Sequence, residues 1–147
     1  MEDIIQEKIS ADHLLYVSLK YTKTCDVILN LILRWRRMME ISIDKILEKA
    51  KKKKMISTVP TSTTVKLEVV KKVLKSDKNF QEVIEMYEMF KKIEELRKER
   101  IGEFRKNVTL KVFYQGQEID INLEKLKEYA DKVERFISST KQFLLQK

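Results

Sequence analysis

Glycine occurs only twice in this chain and proline once. An all-β architecture needs many tight turns, and two glycines cannot supply them. The same scarcity excludes glycine-rich phosphate loops, since neither a P-loop nor a dinucleotide fingerprint can be written with two glycines. Cys25 is the only cysteine. An intrachain disulfide is therefore impossible, and an intracellular, cytoplasmic protein is expected. His13 is the only histidine, so nitrogen and sulfur ligands for a zinc site are missing within one chain. A Cys–His nucleophilic pair would need Cys25 and His13 to meet, yet on one unbroken helix they would stand roughly 18 Å apart along the axis. No metal and no cofactor is expected. Long apolar runs are also lacking. The most apolar stretch, Val27 to Leu33, is interrupted by Asn30 and closed by Arg34, too short to span a bilayer. The opening MEDIIQEKIS begins acidic and lacks the apolar core of a signal peptide. No membrane association is expected.

Charge is what the chain has in abundance. Lys and Arg number 31 against 23 Asp and Glu, a net charge of +8. Heavy use of Lys, Glu and Ile matches the composition of proteins from hot environments. The basic excess favours an anionic partner such as nucleic acid or an acidic protein, or else forms a solvated surface.

Periodicity predicts a mainly α protein, read over 1–147 as one domain. The expected architecture is a four- to five-helix up-and-down bundle with a small β-hairpin at 108–121 before the last helix. Ser10 is a candidate cap for a long helical pattern reaching about Lys54. As a single helix it would extend roughly 65 Å, so a break at Thr22-Lys23-Thr24 is plausible on length, with Thr24 as the second cap. Ile28, Leu31, Ile32, Trp35, Met39, Ile43 and Ile46 recur at helical spacing. Val27, Leu29 and Leu33 lie off that stripe, which makes the middle of the helix apolar nearly all round. Such a helix is central to a bundle, forms a subunit interface, or both, and the three residues are the candidate dimer contacts.

Residues 55–64, MISTVPTSTT, read as a loop. Thr63 or Thr64 is the candidate cap of a short helix, and Asn79 of the next, which carries Val83, Ile84, Tyr87, Phe90, Ile93 and Leu96 and is drawn past Arg100. The period then changes to two through Val108, Leu110, Val112 and Tyr114, and again at Ile119 and Ile121. This predicts a hairpin turning at Gln115-Gly116. Asn122 caps a final helix from Leu123 to about Leu145, with Leu126, Tyr129, Val133, Phe136, Ile137 and Leu144 inward.

Two groups of cations are candidate contacts for nucleic acid or a protein partner. Arg34, Arg36 and Arg37 with Lys51, Lys52, Lys53 and Lys54 form the first; the lysine run equally complements a helix C-terminal dipole. Arg97, Arg100, Arg105, Lys106 and Asn107 form the second. Glu94, Glu95, Glu99 and Glu103 read as surface pairing on a helix, with Glu94 and Lys98 one turn apart.

The segment YEMFKKIEELRKERIGEFRKNVTL resembles the third-helix region of HEPN-type domains, and the Met38–Lys54 helix and hydroxyl-rich loop fit that layout. The resemblance covers residues 12–145 in outline. It implies a small helical bundle, often dimeric, acting as a ribonuclease or as a binding partner beside a small nucleotidyltransferase. Ribonuclease members carry an Arg followed a few residues later by a His. After Arg100 that place is held by Asn107, and Ile101 stands where active members have a polar residue. Asn has no titratable proton near neutrality and cannot serve as a general acid or base, although it still hydrogen-bonds. The resemblance therefore implies a non-enzymatic interaction protein and homodimer. A basic nucleic-acid binder is the alternative, and a residual ribonuclease on Arg100 and Asn107 a third reading.

Overall fold

The computed structural model describes residues 2–147. Its N-terminal arm comprises α1 (Glu2–His13), a π-helical turn (Leu14–Ser18) and α2 (Leu19–Tyr21). Helix formation thus starts before Ser10, which lies inside α1 rather than capping it. Glu2 and Asp3 in the first turn complement the positive end of the dipole.

The chain breaks at Thr22–Thr24 without glycine or proline. Thr24 adopts an extended conformation, and its side chain accepts from Val27 N, starting α3 (Cys25–Lys52). α3 is the centre of the molecule. It touches α1, α4 (Thr63–Val73), α5 (Lys78–Lys92), α6 (Leu123–Leu145) and the sheet. Its stripe of Ile28, Leu31, Ile32, Trp35, Met39, Ile43 and Ile46 is buried. Val27, Leu29 and Leu33 are half-buried and pack against that core, so neighbouring elements within the monomer already cover part of the all-round apolar surface.

The caps of the shorter helices differ from expectation by a residue or two. Ser62 precedes α4, and the Asp77 carboxylate, not Asn79, accepts from Phe80 N at the start of α5. A carboxylate suits this position doubly, as acceptor and as anion at the dipole's positive end. α6 begins at Asn122, whose Oδ1 accepts from Lys125 N at 2.9 Å. Its last inward residue is Phe143, with Leu144 only half-buried. Aromatic rings join the three largest core helices: Trp35 stacks on Phe90 at 6.1 Å between centroids, and Phe90 meets Tyr129 edge-on at 5.2 Å.

The β part has three strands rather than two. β1 (Lys98–Ile101), β2 (Thr109–Tyr114) and β3 (Gln117–Ile121) form an antiparallel sheet in that order. The Gln115-Gly116 turn has positive φ at both residues, 50° and 75°, as a two-residue hairpin loop requires. Val108, Leu110, Val112 and Ile121 face the core. The helix drawn past Arg100 ends at Lys92. Lys98 Nζ donates to the carbonyls of Ile93, Glu94 and Leu96, satisfying groups that the helix end leaves open. The pairing expected between Lys98 and the Glu94 carboxylate is replaced by these backbone contacts.

Candidate functional site

The break at Thr22–Thr24 and the loop from Gly102 to Val108 meet at one corner. Phe104 N donates to Lys23 O at 2.6 Å. Both Glu103 carboxylate oxygens accept from Cys25 N at 3.3 Å, a cap on α3 from far along the chain. Arg100 lies in β1 and bridges Asp26 Oδ1 at 2.6 Å and Glu103 Oε1 at 3.4 Å. The guanidinium holds the Asp26 carboxyl below the usual carboxylate range. Arg100 is therefore committed to two carboxylates of the fold.

The backbone of Asn107 also serves the loop. A Cβ on Gly102 would lie 3.2 Å from Asn107 Oδ1 and 3.3 Å from its carbonyl oxygen, and Gly102 has φ +67°. The Asn107 carbonyl accepts from Thr109 Oγ1 at 2.9 Å. The segment on which a residual ribonuclease would rest thus divides into a strand bearing Arg100 and a turn bearing Asn107.

Cys25 lies beneath this corner, buried, with Sγ donating to Thr109 O at 3.3 Å. Burial first, and the neighbouring Glu103 carboxylate second, push its thiol up to about 11. A thiol protonated at neutral pH is a poor nucleophile. His13 is exposed on α1. Among the described residues no cluster of three or more His, Cys, Asp or Glu is placed to hold a metal ion.

Once these contacts are made, the corner still presents Lys20, Lys23, Arg105 and Lys106. Among the described residues none of the four has a carboxylate within ion-pair distance. Lys23 Nζ donates to Lys20 O, and Lys20 Nζ lies 5.8 Å from the Tyr21 ring centroid. Tyr21 and Phe104 are 78% and 76% exposed, the most open aromatic side chains among the described residues. Asp26 and Glu103, the carboxylates at the corner, are both engaged by Arg100.

The other candidate cations lie elsewhere. Arg34, Arg36 and Arg37 line a groove of about 490 Å³ with Leu14, Asn30, Leu33 and Glu40. Each is matched by acid: Arg34 and Arg37 hold Glu7 at 3.3 and 3.1 Å, and Arg36 holds Glu94 at 3.2 Å and Glu40 at 3.8 Å. These pairs tie α3 to α1 and to the end of α5. Arg97 packs on Phe113 at 4.8 Å and pairs with Glu99 at 3.6 Å.

Lys51–Lys54 close α3 at its other end, about 40 Å from Cys25 along the axis. There Met55 N donates to Ala50 O and Lys54 N to Lys51 O, with Lys54 at φ 62°. This is a Schellman closure. Lys53 donates to Gln146 and lies 5.3 Å from the Phe143 ring centroid, while Lys51, Lys52 and Lys54 point outward.

Compared with family models, curated proteins and solved structures, the chain matches none. No helix among the described residues is long and apolar enough to cross a membrane. Sequence reading found Arg105 and Lys106 but missed Lys20, Tyr21, Lys23 and Phe104. The signal available was two aromatics flanked by cations on either side of the chain break and the Gly102 turn.

Proposed function

We propose that the protein is a non-enzymatic nucleic-acid-binding member of the HEPN-like bundle class, with the Lys20–Lys23 and Phe104–Lys106 corner as its contact surface. The observation that carries this reading is the contrast in charge pairing. The arginines on α3 and in the sheet are paired with neighbouring carboxylates, whereas Lys20, Lys23, Arg105 and Lys106 share one corner without them and beside two exposed aromatic rings. Among the described residues Lys51, Lys52 and Lys54 are unpaired too, but they complement the C-terminal dipole of α3 and have no exposed aromatic ring among them. Cations left unpaired at one place are what a phosphate backbone requires. The engagement of Arg100 by two carboxylates, the lack of a titratable proton on Asn107 and the protonated Cys25 speak for binding rather than cleavage.

Anisotropy titrations with labelled oligonucleotides test it. At low salt the wild type binds, replacing the four corner cations by Ala abolishes binding, and replacing Lys51, Lys52 and Lys54 leaves most of it. Equal loss from both sets would move the site away from the corner. Cleavage of labelled RNA that disappears in Arg100→Ala would overturn the non-enzymatic reading.

A homodimer is a second part of the proposal, favoured by the exposed apolar ridge of Ile5, Ile9 and Tyr16 on the N-terminal arm. These residues are more open than Val27, Leu29 and Leu33. Light scattering at micromolar concentration tests it, with Ile9→Glu expected to give monomers. A wild-type monomer would remove the dimer and with it the ground for a shared interface, leaving a partner such as a small nucleotidyltransferase as the occupant to test by co-purification.

A further inference from the structure

Phe104 breaks two local rules at once. It is a large apolar side chain 76% exposed to solvent, and its backbone sits at φ +64°, where a residue with a Cβ is held at a cost that glycine avoids. The loop's hydrogen bonds set the backbone, but core packing gives no reason for a large apolar side chain there, since Phe104 is not among the side chains packed on the core. Departures of this kind concentrate where a chain contacts something else.

The loop is also fixed, so the ring is displayed rather than loose. Glu103 is held by Cys25 N on one side of Phe104, Arg105 N donates to Gly102 O, and Phe104 N itself is bonded to Lys23 O. The last bond sets the backbone carrying Phe104 against the segment carrying Tyr21, which is 78% exposed. Two exposed rings, Tyr21 with Lys20 Nζ over one face, therefore share the corner with four cations that lack carboxylate partners.

We infer that Tyr21 and Phe104 form a stacking platform that makes this corner select single-stranded over duplex nucleic acid. The inference rests on the nucleic-acid-binding reading above and adds its substrate class. Cations alone read phosphates and favour the denser charge of a duplex. An aromatic ring needs the π-face of a base, and a duplex keeps those faces covered by its own stacking. Tyr and Phe lose few rotamers on contact, so they suit such a platform. Stacking on a ring is sequence-tolerant, so the selectivity the two rings confer is for strandedness.

Anisotropy titrations of the full chain with a labelled single strand of about 12 nucleotides and a duplex of the same length test it. The single strand is expected to bind at least about tenfold more tightly. Tyr21→Ala and Phe104→Ala should each weaken single-strand binding by about 5- to 100-fold, with duplex affinity and salt dependence unchanged. Ala keeps a Cβ at position 104, so backbone strain is the same in the variant. Phe104→Tyr and Tyr21→Phe should retain binding, whereas Leu at either position should not. Equal affinity for both forms, or aromatic variants that bind like the wild type, would overturn the inference while leaving nucleic-acid binding intact. If neither form binds at low salt, both readings fail together; binding to phosphatidylserine vesicles in that case would assign the corner to a lipid surface.

Discussion

Both carboxylate oxygens of Glu103 lie 3.3 Å from the backbone nitrogen of Cys25, the first residue of α3. The two residues are 78 positions apart, so a cap normally provided by a neighbour comes here from the loop after β1. The carboxylate satisfies an open N–H and places an anion at the positive end of the helix dipole. It joins the sheet's first loop to the central helix.

Removal of that cap should be measurable. Glu103→Ala is expected to lower unfolding free energy by about 1–2 kcal/mol, read from urea denaturation. Glu103→Gln, which keeps an acceptor and loses the charge, should lose less than Ala. An Ala variant with an unchanged midpoint would show that the cap contributes nothing in solution.

Gly102 tests the other side of the loop. A side chain there meets Asn107 at 3.2 Å and must adopt φ +67°. Gly102→Ala should destabilise by about 1–3 kcal/mol and, by moving the loop, weaken oligonucleotide binding. Thermal melts of the variant with full wild-type stability would remove the strain argument.

Lys54 gives a prediction of opposite sign. It occupies the left-handed position of the Schellman closure after α3, where glycine is the usual residue. Lys54→Gly should stabilise the fold by about 0.5–1 kcal/mol. A lower melting temperature would mean that the Lys54 side chain contributes more than its backbone costs.

Cys25 sets an alkaline limit on stability. The thiol has an ordinary value of 9.0 and is pushed up to about 11 in the folded chain, first by burial. Between those values the unfolded chain holds fewer protons than the folded one, so stability must fall as pH rises through that window and is fully present below it. Tyr129, pushed up to about 12 by burial, adds its own loss at higher pH. Urea midpoints from pH 8 to 11 should decline from about pH 9, and Cys25→Ser should delay the onset. The same midpoint profile in both proteins would contradict this.

The elements visible in the sequence are those whose signals are local. Asn122 before α6, the Gln115-Gly116 turn and the Thr24 cap each depend on neighbours within a few positions, and each is found in place. β1 is different. Lys98, Glu99 and Arg100 are residues that favour helices, and they follow the helical spacing of Ile93 and Leu96 without a glycine or proline between. The segment becomes a strand because β2 offers an edge for it, with Arg100 opposite Leu110, and because Lys98 closes the end of α5. Both causes depend on tertiary structure, so neither period nor propensity shows them. The candidate site was obscured for the same reason. Arg105 and Lys106 are legible as basic residues, but only the bond between Phe104 and Lys23 brings them to Lys20 and Tyr21.

The measurement that bears most directly on the proposed function is the salt dependence of binding to a labelled single strand. If Lys20, Lys23, Arg105 and Lys106 each neutralise one phosphate, the plot of log affinity against log salt should have a slope of about −3. Replacing Arg105 and Lys106 by Ala should bring that slope to about −1.4, while Lys51→Ala with Lys52→Ala should leave it unchanged. A slope near zero, or one reduced only by the Lys51 and Lys52 replacements, would contradict the account.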